Sequence, residues 1–148
     1  MRIHIGTDHA GFELKNRIAE HLQAAGHDVV DHGAHEYDGE DDYPPFCFAV
    51  GEAVVAENGS LGVVIGGSGN GEQMAANKVA GVRAALVWSE DTAKLARQHN
   101  DANVISVGAR QHDEATVISL IETFIAEPFS QAARHERRIK LMADYEQR

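Results

Sequence analysis

The sequence predicts a three-layer α/β/α fold, with helices on both faces of a five-stranded parallel sheet. Short β-branched runs alternate with stretches of helical period from the N-terminus nearly to the C-terminus, and strands joined by helical crossovers must be parallel. A parallel sheet needs cover on both faces, which supplies the two helical layers. The last helical stretch follows Pro128 and has no strand after it, so an extra C-terminal helix lies outside the alternating scheme.

Arg2 to Gly6 opens the chain as an alternating strand, Arg-Ile-His-Ile-Gly, and Phe12 to Ala25 follows as a helix. His27 to Asp31, with Val29-Val30, is the second strand. The stretch Asp31 to Tyr43 is acidic, rich in His and Gly and aperiodic, and reads as a surface loop. Pro45 to Glu57 is the second helix, with Cys47 inside the apolar run Phe46-Cys47-Phe48-Ala49-Val50. Leu61 to Gly66 is an apolar strand, and Gly71 to Val79 the third helix. Arg83 to Trp88 and Asn103 to Gly108 are strands on either side of a helix from Glu90 to His99. Helices from Asp113 to Ala126 and from Ser130 to Glu146 complete the chain. The arrangement is Rossmann-like, and ligands of such sheets bind beyond the C-terminal strand ends. A final helix of this kind packs either against a partner subunit or as a brace on its own domain.

The 148 residues form one expected domain, 1–148, long enough to bury a core without disulfides or a structural metal. No run approaches the length of a membrane span. Met1 leads directly into the first strand, and the single cysteine cannot form an internal disulfide; both fit a cytoplasmic protein. A net charge of -10 repels nucleic acid and anionic membrane. Any bound phosphate must therefore be held by a few local cations, which favours a small ligand.

The strongest chemical feature is Gly66-Gly67-Ser68-Gly69-Asn70-Gly71-Glu72, between a strand and a helix. Glycines let backbone N–H groups turn toward a ligand and let it approach closely, and the helix N-terminus adds positive partial charge. An anion site is one reading; a tight turn without a ligand is the other. The loop has the spacing of a nucleotide P-loop, but Glu72 stands where that motif needs Lys, so a triphosphate would be repelled. It also fails the dinucleotide fingerprint, which follows a first strand and carries a third glycine where Glu72 stands.

A carboxylate at a helix start inside a dry pocket suits a general base, and Glu72 is a candidate; an ordinary first-turn Glu complementing the dipole is the alternative. Ser68 could cap the helix or hydrogen-bond an oxyanion. Asp8 and His9 follow the first strand and should reach the same sheet edge, where they could hold sugar hydroxyls, unless Asp8 only caps the next helix. Tyr43 could reach that edge or simply pack. Arg110, just past the fifth strand, is a further cation there. His99 and Asn100 end a helix whose dipole favours a protonated imidazole, a plausible proton donor. Arg134 and Arg138 lie one turn apart on the last helix, a like-charged pair that an intervening anion would relieve; Arg137 is close by, and Glu136, Glu146 or a partner chain could neutralise the cluster instead. His32 and His35 lack the usual zinc spacings, so no metal site is expected.

Taken together these residues resemble the B-type ribose-5-phosphate isomerases, related to galactose-6-phosphate and allose-6-phosphate isomerases. The resemblance runs nearly end to end, through Gly6-Thr7-Asp8-His9-Ala10-Gly11-Phe12, Asp42-Tyr43-Pro44, the glycine loop, Ala76-Asn77-Lys78, His99-Asn100-Asp101-Ala102-Asn103 and the arginine-bearing last helix. One branch of that family carries a catalytic Cys at the start of the glycine loop. Here that position is Gly66, so the chain looks like the glutamate-base branch. The resemblance implies a cofactor-free aldose-ketose isomerase acting through a cis-enediolate. Glu72 would be its base, His99 would open the ring, and Ser68 would stabilise the intermediate. Asp8, His9, Gly67, Gly69, Asn70, Gly71 and Asn100 would contact the sugar or enediolate, and Arg134 and Arg138 the phosphate. It also implies a homodimer or dimer of dimers. Topology adds that active sites are shared, because the residues after strands and those before the fifth strand belong at opposite sheet edges. A six-carbon sugar phosphate (allose or galactose 6-phosphate) as substrate, and a non-enzymatic phosphate-binding module, are the alternatives.

Overall fold

A strand in which all six residues are buried, β3 (Leu61–Gly66), forms the centre of the sheet. The computed structural model describes residues 1–147. Around β3 lie β1 (Arg2–Thr7), β2 (Asp28–Asp31), β4 (Ala84–Leu86) and β5 (Val104–Gly108), all parallel in the order β2-β1-β3-β5-β4. The helices are α1 (Phe12–Ala24), α2 (Pro44–Ala56), α3 (Asn70–Ala76), α4 (Glu90–Asn100), α5 (Glu114–Ala126) and α6 (Ala133–Glu146), with a 3-10 turn at His9–Gly11.

Successive strand residues face opposite sides of the sheet, so the sheet feeds two cores. Ile3, Ile5, Val63, Ile65, Ile105 and Val107 pack on Leu14, Ile18 and Leu22 of α1, Ala93 and Ala96 of α4, and Val117, Leu120, Ile121 and Phe124 of α5. Val64 and Val104 face the other way, against Cys47, Val50 and Val54 of α2 and Ala75 and Ala76 of α3. Each large side chain so buried contributes about 1.5–3 kcal/mol. No helix among the described residues is long and apolar enough to cross a membrane.

The expected elements are all present, and the differences at their ends have physical causes. The third helix stops at Ala76, not Val79, and the fourth strand keeps only Ala84–Leu86. Asn77 accounts for the first change: its Nδ2 donates to the Ala84 carbonyl (3.0 Å) and its Oδ1 accepts from the Ala84 N–H (2.8 Å). The side-chain amide thus pairs with edge strand β4 as a neighbouring strand would. Asn103 does the same for the approach to β4, accepting from Arg83 N and donating to the Gly81 carbonyl. The last helix begins at Ala133, not Ser130, because the Ser130 hydroxyl bonds His135 Nδ1 (2.9 Å) and accepts from Ala132 N. It braces its own chain: Ser130 N donates to the Gln98 carbonyl, and the Glu146 carboxylate accepts from Gly81 N.

A histidine pair on β1 and just after β2 is set up to respond to pH. His4 of β1 is buried, and its Nδ1 lies 2.9 Å from Nε2 of His32, so one ring must donate and the other accept. Burial lowers the pKa of both; Glu57, 3.5 Å from His4 Nε2, opposes the shift of His4, and the charge of His4 lowers His32 further. The unfolded chain then binds protons more readily below about pH 6.5, so this contribution is complete above that pH and lost as pH falls. Thermal stability should drop between about pH 7 and pH 5, and drop less in His32→Gln. An unchanged pH dependence in that variant would exclude the pair as its source.

The site is positioned by the strand order. The chain leaves β1 toward β2 on one side and leaves β3 toward β4 on the other, so a crevice opens beyond the C-terminal ends of β1 and β3. Thr7 closes its floor by donating its hydroxyl hydrogen to the Ile65 carbonyl (2.8 Å).

Candidate active site

The loop after β3 begins opposite Gly108 of β5 and turns into α3. Gly69 caps the helix with φ of 86°, a left-handed conformation that L side chains rarely adopt, and its carbonyl accepts from the buried Ser106 hydroxyl (2.7 Å). Ser68 is exposed and its Oγ accepts from Asn70 N (3.2 Å), so the hydroxyl oxygen serves the turn into the helix while lying on the loop surface.

Glu72 sits in the first turn of α3 yet is only 5% exposed. Its carboxyl group fills the space beside Gly66: a Cβ there would come within 1.9 Å of the Glu72 carboxyl carbon. A side chain at 66 and the Glu72 carboxyl group in this position therefore exclude each other. Burial raises the Glu72 pKa and the Asp8 charge raises it further, against hydrogen bonds from the N–H groups of Glu72 itself and Gly69. A buried, proton-avid carboxylate at the C-terminal end of β3 can take a proton from carbon.

Other expected residues collect around this loop. The Tyr43 ring covers Gly71, where a Cβ would meet its Cζ and hydroxyl at 2.4 Å. Arg110 lies over Gly67, with its N–H donating to the Gly67 carbonyl (3.0 Å). Asp8 is buried and accepts from Ala10 N (3.0 Å); it caps the 3-10 turn at His9–Gly11, not the following helix α1. His9 is held by Asp41, a residue the sequence reading did not select, through its N–H and its Nδ1 (2.9 and 2.7 Å). Asp8, His9 and Asp41 bring potential metal-ligand atoms within 4.8 Å of one another, although Asp41 already engages the imidazole. Clefts of about 340 Å³ beside His9 and about 450 Å³ beside Ser68 flank the loop.

A second group stands apart. His99 and Asn100 end α4, which runs back from the C-terminal end of β4 to the start of β5. They therefore lie at the N-terminal sheet edge, the length of β5 (about 17 Å) from the glycine loop. The His99 ring packs tilted on the buried His135 of α6 with centroids 4.3 Å apart, and the exposed Arg134 and Arg138 flank His135. His135 was also not selected from sequence, although its place between the two arginines could have drawn attention. Asn100 lines a cavity of about 520 Å³ with Arg83 and Met142. One chain by itself does not bring the two groups together.

Cys47 is fully buried under the loop, and burial, with the charges of Glu72 and Asp8, pushes its thiol up to about 12. It is not a thiolate at neutral pH.

Residues 3–142 match the ribose/galactose isomerase family. Ribose-5-phosphate isomerase B of Mycobacterium tuberculosis is 54% identical over 99% of this chain and 90% of its own. The crystal structure of ribose-5-phosphate isomerase B from Mycoplasma genitalium with bound ribulose-5-phosphate superposes with a TM-score of 0.94 at 44% identity, covering 99% of this chain and 96% of that one. The Clostridium thermocellum ribose-5-phosphate isomerase B does so with 0.94 at 38%, covering 99% and 98%. With its five-stranded sheet and its buried glutamate under the glycine loop, the chain belongs to the ribose/galactose isomerase family.

Proposed function

We propose that this protein is a cytoplasmic, single-domain isomerase that interconverts D-ribose 5-phosphate and D-ribulose 5-phosphate, with no cofactor in any step. The observation that carries this reading is the Glu72 carboxylate, buried against Gly66 at the C-terminal end of β3, in a chain of this family. His99 donates a proton to the ring oxygen as the C1–O4 bond of the furanose breaks, and the C1 hydroxyl releases its proton to water, leaving the open-chain aldehyde. Glu72 removes the C2 proton of the aldose; the C–H electron pair becomes the C1–C2 double bond and the carbonyl pair moves onto O1. Ser68 and loop N–H groups stabilise that cis-enediolate. Glu72 then returns the proton to C1 as the O2 proton is passed to O1, leaving the ketone at C2.

The about 17 Å between the glycine loop and His99 exceeds one sugar phosphate, so a second copy of the chain supplies His99, Asn100, Arg134 and Arg138 to each crevice. Exposed Met74, Trp88, Leu141 and Met142 support this, since apolar side chains on α3, after β4 and on α6 favour cover by protein. The arginines then bind phosphate, which fixes the reacting carbons.

The test is turnover of ribose 5-phosphate, compared with allose and galactose 6-phosphates, in the wild type and in Arg134→Ala and Arg138→Ala. Ribose 5-phosphate should be the best substrate. Each arginine variant should lose about 1.5–3 kcal/mol of binding to phosphorylated ligand, about 10- to 150-fold in KM, with affinity for free ribose unchanged. Equal losses for ribose and its phosphate would make the arginines structural; absence of turnover would overturn the assignment.

A further inference from the structure

Asp41 lies in the loop between β2 and α2, two residues before Tyr43. The loop is shaped there: Glu40 N donates to the Asp38 carboxylate and Asp41 N to the Asp38 carbonyl. From this turn, one oxygen of Asp41 accepts both from His9 N and from His9 Nδ1. The side chains of His9 and Asp41 are 27% and 14% exposed, so the contact is partly shielded from water. An ionised carboxylate only accepts, so Nδ1 must carry a hydrogen, and Nε2 is the ring nitrogen left for a ligand.

The charges around His9 point the same way. The Asp41 hydrogen bond is the largest influence and raises the His9 pKa; burial opposes it, Asp8 adds to it from 3.9 Å, and Arg110 opposes it from the glycine-loop side. The adjoining cleft also holds Glu13, Arg17, His112 and Glu114, of which Arg17 and Glu114 pair with each other. Of the two carboxylates next to the imidazole, only Asp41 bonds it directly.

We propose that Asp41 is a positioning residue for the isomerisation: it accepts from His9 Nδ1–H and pairs with the protonated ring, so that Nε2–H of the imidazolium faces the substrate and donates to an anionic substrate oxygen. This rests on the isomerase reading above for its kinetic consequence, though not for the state of the ring. Asp41 touches no substrate and acts through His9. The anionic oxygen belongs to the phosphate or to the enediolate, and the two differ in which kinetic parameter they move.

The experiment compares wild type, Asp41→Asn and Asp41→Ala, using nitrogen NMR of histidine-labelled protein across pH together with kcat and KM for ribose 5-phosphate. In the wild type His9 should hold hydrogen on Nδ1 at every pH and titrate above an ordinary imidazole. Asp41→Asn keeps an acceptor without the charge, so the Nδ1–H form should persist while the His9 titration and the basic limb of kcat/KM move together to lower pH. Asp41→Ala should release the ring to the neutral Nε2–H form, and kcat/KM should fall about 10-fold, the scale on which outer partners of a functional histidine act. A loss in KM assigns the contact to phosphate, and a loss in kcat to the enediolate. A neutral Nε2–H ring in the wild type, or identical tautomer and pH profile in all three proteins, would overturn the proposal. Should Asp41→Ala fold poorly, the wild-type spectrum and Asp41→Asn still decide. If the wild type fails to turn over ribose 5-phosphate, the functional reading falls, while the spectra continue to test the role of Asp41.

Discussion

Replacing Glu72 by Gln should lower kcat by about 100-fold or more while leaving KM for ribose 5-phosphate within a few-fold, because the amide keeps the volume and cannot accept the carbon-bound proton. The buried site makes this a clean substitution: the carboxyl group lies against Gly66, where no side chain competes for the space. Since burial and Asp8 raise the Glu72 pKa, the acid limb of kcat/KM should lie above the ordinary carboxylate range and vanish in Glu72→Gln. Cys47→Ser should remain active, as expected for a thiol held protonated in the core. Near-normal turnover in Glu72→Gln would remove Glu72 from the chemistry.

The second large effect concerns two inactive proteins. Mixed after subunit exchange, Glu72→Gln and His99→Asn should recover about one quarter of wild-type activity, because about half the dimers are mixed and each mixed dimer holds one intact site. The expectation follows from the position of His99 at the end of α4, across the sheet from the glycine loop. Exchange proven by mass spectrometry without recovered activity would place each site within one chain and contradict the shared arrangement.

Much of this was legible in the residues because the relevant signals are local. Alternation of β-branched and helical stretches located all five strands, and the glycine loop announced itself by four glycines in six positions. The missed features depend on contacts distant in sequence. Asn77 ends α3 early by bonding a strand residue seven positions on, which helical periodicity does not encode. Asp41 reaches His9 across 32 positions, and in the sequence it is one more acid in an acidic loop. His135 meets His99 through the packing of α6 on α4, which no single-chain pattern marks. The requirement for Gly66 is likewise tertiary, since it is set by where the Glu72 carboxylate comes to rest.

In the proposed mechanism the Glu72 carboxylate carries the proton between C2 and C1, and solvent deuterium measures that transfer directly. With ribose 5-phosphate and ribulose 5-phosphate at equilibrium in deuterated water, the wild type should introduce deuterium at C2 of the aldose, and Glu72→Gln should slow that exchange by about 100-fold or more. Deuterium entering C2 at the wild-type rate in Glu72→Gln would show that another group moves the proton, and no incorporation by the wild type together with no isomerisation would return the protein to the class of phosphate-binding modules.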